Sequence, residues 1–79
     1  MRDKATVYGK PGCVQCKYTT KMMDTEQIPY VYLDITVNEV ANEAAKSYGR
    51  TALPIVVAGE QVWRGFSPDK IKGLNRDNS

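Results

Sequence analysis

A chain of 79 residues, 42% of them hydrophobic, supports one small domain with a modest core and leaves no length for a second. Its 11 Lys and Arg against 9 Asp and Glu give a net charge of +2 with the signs interspersed, and without a basic stripe nucleic acid is not an expected partner. Met1-Arg2-Asp3-Lys4 runs into a strand-like segment with no apolar leader, and no stretch reaches the roughly 18 apolar residues a membrane helix needs, so a cytoplasmic protein without membrane contact is expected.

Ala5-Thr6-Val7-Tyr8 is short and rich in β-branched and aromatic residues, and Gly9 with the Pro11-Gly12 pair stops it, which predicts a buried strand ending in a loop. The loop delivers Cys13-Val14-Gln15-Cys16 to the first turn of a helix. Two cysteines at that spacing can close a disulfide with little backbone movement. The unpaired N–H groups and partial positive charge of a helix N-terminus favour a thiolate there. Cys13 is the expected nucleophile. Cys16, one turn further in, is the expected resolving thiol and the more buried of the two. In a reducing compartment such a pair points to catalysis or a metal, not to a structural staple. Tetrahedral zinc wants about four Cys or His ligands, whereas this chain has two cysteines and no histidine, so only two chains sharing an ion would satisfy it and no metal is expected. Lys10 and Lys17 lie near the pair and either help hold the thiolate or are plain surface charges.

The helix predicted from Val14 places Val14, Tyr18, Met22 and Met23 on its inner face and Lys17, Thr20, Lys21 and Asp24 on the other, with the methionines as core filler, and it stops before Pro29. Tyr30-Val31-Tyr32-Leu33-Asp34-Ile35, apolar at nearly every position, predicts an interior strand covered on both faces. Thr36 and Glu39 form a capping-box pattern for a second helix, whose inner face is Val40, Ala41, Ala44, Ala45 and Tyr48 and whose end is Gly49. Glu39 and Glu43 read as its solvated outer face.

After Arg50-Thr51-Ala52-Leu53-Pro54, the runs Ile55-Val56-Val57-Ala58 and Gln61-Val62-Trp63, joined through Gly59-Glu60, predict a β-hairpin. Ser67-Pro68-Asp69 starts a short last helix docked by Ile71 and Leu74, and residues 75–79 are polar and expected to fray. The order β-α-β-α-β-β-α predicts a single α/β domain over residues 1–79, with a four-stranded mixed sheet flanked by three helices. A Cys-x-x-Cys between strand and helix of a βαβ unit reads as a thioredoxin-like redox site.

Three segments, Tyr8-Gly9-Lys10-Pro11-Gly12-Cys13-Val14-Gln15-Cys16, Leu53-Pro54-Ile55-Val56-Val57-Ala58-Gly59 and Trp63-Arg64-Gly65-Phe66-Ser67-Pro68-Asp69, together resemble the NrdH-redoxin family over nearly the whole chain. The resemblance implies the thioredoxin-like fold and a glutaredoxin-like sequence with thioredoxin-like behaviour. It further implies a monomeric electron carrier reduced by thioredoxin reductase and oxidised by the large subunit of class Ib ribonucleotide reductase, with no cofactor beyond the redox-active Cys13–Cys16 disulfide. By the same resemblance Pro54 is cis and lies against the cysteine pair, leaving the backbone at Leu53 to pair with a substrate strand. Lys10, Val14 and Gln15, Leu53 and Pro54, and Trp63, Arg64, Gly65 and Phe66 are then the partner-binding residues around catalytic Cys13 and Cys16. Trp63 and Phe66 are large enough to be partner anchors or core, and the residues leave both open. Where the family usually reads Trp-Ser-Gly-Phe-Arg-Pro, Arg64 and Ser67 are exchanged here.

The alternative is a glutathione-dependent glutaredoxin acting as a general disulfide reductase. Such proteins hold glutathione through a Thr-Val-Pro segment and a Gly-Gly pair followed by an acid. Here those places read Ala52-Leu53-Pro54 and Gly65-Phe66-Ser67-Pro68-Asp69, and Phe66 removes the second glycine, whose small size lets a ligand approach the backbone. A glutathione groove is therefore not expected. Either type of pair implies a potential between roughly −270 and −200 mV.

Overall fold

The computed structural model describes residues 4–49 and 52–77, so the readings made for residues 1–3, for Arg50-Thr51 and for Asn78-Ser79 lie outside the described residues. The elements run β1 (Ala5–Gly9), α1 (Val14–Thr25), β2 (Tyr30–Asp34), α2 (Glu39–Ser47), β3 (Ile55–Ala58), β4 (Gln61–Arg64) and α3 (Pro68–Asp77). The strands form one mixed sheet in the order β2-β1-β3-β4, with β1 parallel to β2 and antiparallel to β3, and β3 antiparallel to β4. This is the thioredoxin-like architecture, with α1 and α3 on one face and α2 on the other. The backbone of α3 continues through Asp77, past Leu74 where regular structure was expected to end. Among the described residues no helix is long and apolar enough to cross a membrane.

The sheet divides the core in two. Ala5 and Val7 of β1 face one side with Met23, Ile28, Val56, Trp63, Ile71 and Leu74. Tyr8 and Ile55 face the other, against Ala41 and Ala45 of α2. Alternation along β1 and β3 thus feeds both halves, as expected for interior strands.

Three expectations are corrected. First, β2 is an edge strand, with Val31 and Tyr32 exposed, because β1 takes the interior place between β2 and β3. Tyrosine carries an apolar ring under a polar tip, so a run that looks apolar in sequence is tolerated at a wet edge. Second, α1 is rotated from the face expected: Val14 and Tyr18 are 62% and 52% exposed, while Cys16, Thr19 and Met23 are buried. Thr19 can enter the core because its Oγ1 donates to the Gln15 carbonyl at 2.8 Å, leaving no buried hydroxyl unsatisfied. Third, Asn38, not Thr36, caps α2: its Oδ1 accepts from the Ala41 N–H at 2.9 Å. Thr36 instead closes a turn on the Asp34 carboxylate through its own N–H and hydroxyl, and Val40 is 81% exposed because the helix buries only its small Ala41–Ala45 row. Gly49, at φ 75°, follows the last turn of α2, a conformation glycine adopts without penalty.

The cap assignment has a measurable consequence. Asn38→Ala is expected to lower the unfolding free energy by about 1 kcal/mol in urea titration. Thr36→Ala, at an exposed turn, is expected to cost less than about half of that. A larger loss at Thr36 would restore the capping-box reading.

Candidate active site

The site is built on one end of the sheet. Gly9 pairs with Asp34, and the antiparallel registers Tyr8–Ile55 and Ile55–Arg64, continued by one residue, align Gly9, Pro54 and Gly65 across that end. The Gly65 N–H donates to the Pro54 carbonyl at 2.8 Å, and the Leu53-Pro54 bond is cis. The first turn of α1 sits down on this row. A methyl group on Gly9 would lie 2.9 Å from Cys16 Sγ and 2.6 Å from the Tyr32 hydroxyl, and one on Gly65 would lie 3.0 Å from Gln15 Oε1. Gly65 also holds φ 81°, a backbone conformation that glycine adopts without penalty and other residues rarely do.

Cys13 is the N-cap of α1, with φ −85° and ψ 108°, and its Sγ accepts the Cys16 N–H at 3.1 Å. Its carbonyl accepts the Lys17 N–H at 3.2 Å, so the residue belongs to the helix by its carbonyl while its sulfur faces the orphan N–H groups. Cys13 and Cys16 are joined in a disulfide with a Cα–Cα separation of 5.3 Å. Once that bond is opened, a backbone donor aimed at Cys13 Sγ stabilises the thiolate form at that sulfur. Cys13 is half-buried, whereas Cys16 is 2% exposed beneath it. The outer sulfur is reachable and the inner one is shielded.

A groove of about 610 Å³ runs alongside the pair, with Lys10, Lys17, Tyr30 and Tyr32 among its walls. Burial above all, and then the Asp34 carboxylate, push the Tyr32 phenol above its usual range. Burial, followed by the neighbouring Asp24 carboxylate, does the same for Tyr30. Both phenols therefore stay protonated at neutral pH and present O–H donors. On the far side of α1, Tyr18 and Phe66 stand 5.9 Å apart between ring centroids beside a second groove that Met22 also lines.

The residues singled out in the sequence separate into groups. Lys10 and Val14 line the first groove with both cysteines. Gln15 is exposed, and its Oε1 accepts the Phe66 N–H at 3.0 Å and so ties the cysteine loop to the β4–α3 connection. Leu53 is half-buried next to the α2 half of the core, and Pro54 is fully buried in the row below α1. Phe66 is at the surface. Trp63, in contrast, is 5% exposed and belongs to the core, with Lys70 Nζ 6.0 Å from its ring centre, so it is no partner anchor. Arg64, the next residue along β4, points to the opposite face as strand alternation requires, and its guanidinium donates to the Tyr48 carbonyl at the end of α2. It caps a helix on the face away from the cysteines. Gly9, Tyr30 and Tyr32 read in the sequence as a strand stop and as strand residues, not as parts of the site; the signal for the tyrosines was their period-two spacing on one strand.

Residues 5–63 match the glutaredoxin family profile. The chain is similar to the glutaredoxin-like protein NrdH of Escherichia coli K12, at 33% identity over 72 residues that cover 91% of this chain and 89% of that one. NrdH of Salmonella typhimurium is 31% identical over 89% of this chain and 86% of its own. The structure resembles that of the E. coli NrdH-redoxin, a glutaredoxin-like protein with a thioredoxin-like activity profile, with a TM-score of 0.85 at 33% identity over 91% of this chain and 95% of that one. A glutaredoxin of Archaeoglobus fulgidus shares the fold, with a TM-score of 0.76 at 24% identity over 96% and 88% of the two chains.

Gly9→Ala tests the seat of the helix. The added methyl has no room between Cys16 Sγ and the Tyr32 hydroxyl, and overpacking of this kind is expected to cost about 1–3 kcal/mol in denaturant unfolding. Gly73→Ala, where a methyl meets nothing within 4 Å, is expected to be neutral or stabilising by up to about 1 kcal/mol. Equal effects at the two glycines would refute the seating.

Proposed function

This chain belongs to the glutaredoxin family and, within it, to the NrdH-like redox proteins, and from that premise we propose that it is a dithiol electron donor, reduced by thioredoxin reductase and oxidised by the large subunit of class Ib ribonucleotide reductase. The observation that carries the reading is the asymmetry of the pair, with Cys13 Sγ facing the Cys16 N–H at the helix N-terminus and Cys16 buried behind it. The Cys13 thiolate attacks a partner disulfide, one partner sulfur leaves as a thiol, and a mixed disulfide forms. Cys16 then attacks Cys13, the second partner sulfur leaves reduced, and the intramolecular disulfide closes. Thioredoxin reductase returns two electrons and restores the dithiol. Lys10, Val14 and Phe66 frame the approach, and the protein works as a cytoplasmic monomer with no cofactor of its own.

Support for the thioredoxin-like side of this reading comes from Phe66. It stands where a glutathione-binding chain keeps a glycine, and its ring packs beside Tyr18 on the surface. The E. coli relative's thioredoxin-like activity profile points the same way.

Disulfide reduction driven by NADPH is expected with thioredoxin reductase and not with glutathione plus glutathione reductase. Turnover in the glutathione arm alone would make the chain a glutathione-dependent reductase and sink the proposal. Cys16→Ser is expected to accumulate a covalent complex with the oxidised reductase subunit on non-reducing gels, and Cys13→Ser none; the reverse pattern would exchange the two roles.

A further inference from the structure

The sulfur that closes the cycle is buried, and burial in apolar surroundings works against a thiolate. Cys16 nevertheless has to ionise to attack the mixed disulfide. The N–H of its own backbone is directed at Cys13, so it serves the other sulfur. The notch left by Gly9 brings one further donor to the place. Cys16 Sγ and the Tyr32 hydroxyl lie 2.9 and 2.6 Å from the same point, the position a Gly9 methyl would take, and both residues line the groove beside the disulfide. In the oxidised protein the phenol's hydrogen bond among the described residues is a stretched 3.5 Å contact to the Lys10 carbonyl, which leaves its proton able to turn to a stronger acceptor.

We propose that Tyr32 is the hydrogen-bond donor to the Cys16 thiolate, stabilising it for the resolving attack and as leaving group when the disulfide is reduced. The inference rests on the dithiol–disulfide reading above. In the resolving step the Cys16 thiol gives its proton to solvent and its thiolate electron pair forms the bond to Cys13 Sγ. The partner sulfur leaves with the pair of the broken S–S bond and takes up a proton. Tyr32 keeps its own proton throughout, which agrees with a phenol held above its usual range by burial and Asp34. The other titratable groups facing the notch are Cys13 and Lys17 from α1 and its cap, Lys10 from the preceding loop and Tyr30 from β2. Lys10 and Lys17 lie along the same groove, whereas the Tyr32 hydroxyl shares the Gly9 notch with Cys16 Sγ.

Ellman's reagent, a small aromatic disulfide, separates the two sulfurs without any protein partner. The reduced protein releases one thionitrobenzoate when Cys13 attacks and a second when Cys16 displaces it from the mixed disulfide. Tyr32→Phe, which keeps the ring in the strand, is expected to leave the first phase unchanged. In the Cys13→Ser background it is expected to raise the Cys16 thiol pKa by about one unit, read from thiolate absorbance against pH. At pH 7 the second phase should then slow about threefold, since tenfold less thiolate is partly offset by a stronger nucleophile with a Brønsted coefficient of about 0.4–0.5. Tyr32→Gln returns an N–H donor and is expected to recover part of the lost rate. An unchanged Cys16 pKa and second phase would overturn the proposal, as would equal slowing of both phases, which marks loss of packing and not of a donor. Because no reductase takes part, failure of thioredoxin reductase to couple with the protein would overturn the functional reading and leave this one standing.

Discussion

Everything at the site depends on how close the first turn of α1 can come to the end of the sheet. Helix and sheet ordinarily keep a layer of side chains between them, but here the row Gly9, Pro54, Gly65 removes most of that layer. Cys16 Sγ occupies the space over Gly9 and the Gln15 carboxamide the space over Gly65. Lowering the helix in this way buries one sulfur while its neighbour, three residues earlier, stays at the rim as the cap. A pair of chemically identical thiols becomes one half-exposed and one buried sulfur through position alone.

The same descent links the cysteine loop to the chain on its far side. Gln15, between the two cysteines, accepts the Phe66 N–H, so the first turn of α1 and the connection from β4 to α3 are held together by one hydrogen bond across 51 positions of sequence. The glycine at 65 lets the connection turn at positive φ beneath that carboxamide. Tyr18 and Phe66 then lean on each other outside it, forming an apolar shoulder beside the second groove.

Arg64, one half of the exchanged pair, finds its place on the other face of the sheet. Alternation along β4 sends Trp63 into the core under α1 and α3 and Gly65 to the site, which leaves Arg64 facing α2. There its guanidinium meets the Tyr48 carbonyl, where a cation suits the negative end of a helix. An arginine at this position fastens β4 to α2 and does not reach the cysteines.

Much of this was legible in the sequence because it is local. The element order, the hairpin, the glycine after α2 and the placing of Cys13 at a helix start all follow from periodicity and turn chemistry within a few residues. The inner face of α1, the edge position of β2, the cap at Asn38 and the core placement of Trp63 did not follow. Each depends on which surface comes to lie opposite, and hydropathy along one segment carries no record of it. Thr19 entered the core by bonding its own helix, and Tyr32 read as an interior residue because its ring is apolar, yet β2 had only one neighbour. The sequence by itself determined the chemistry available, two thiols one helical turn apart after a strand. Tertiary structure decided what buries Cys16, because burial of that sulfur requires a gap in the sheet beneath it, and Gly9 supplies that gap only once β1 and α1 have packed.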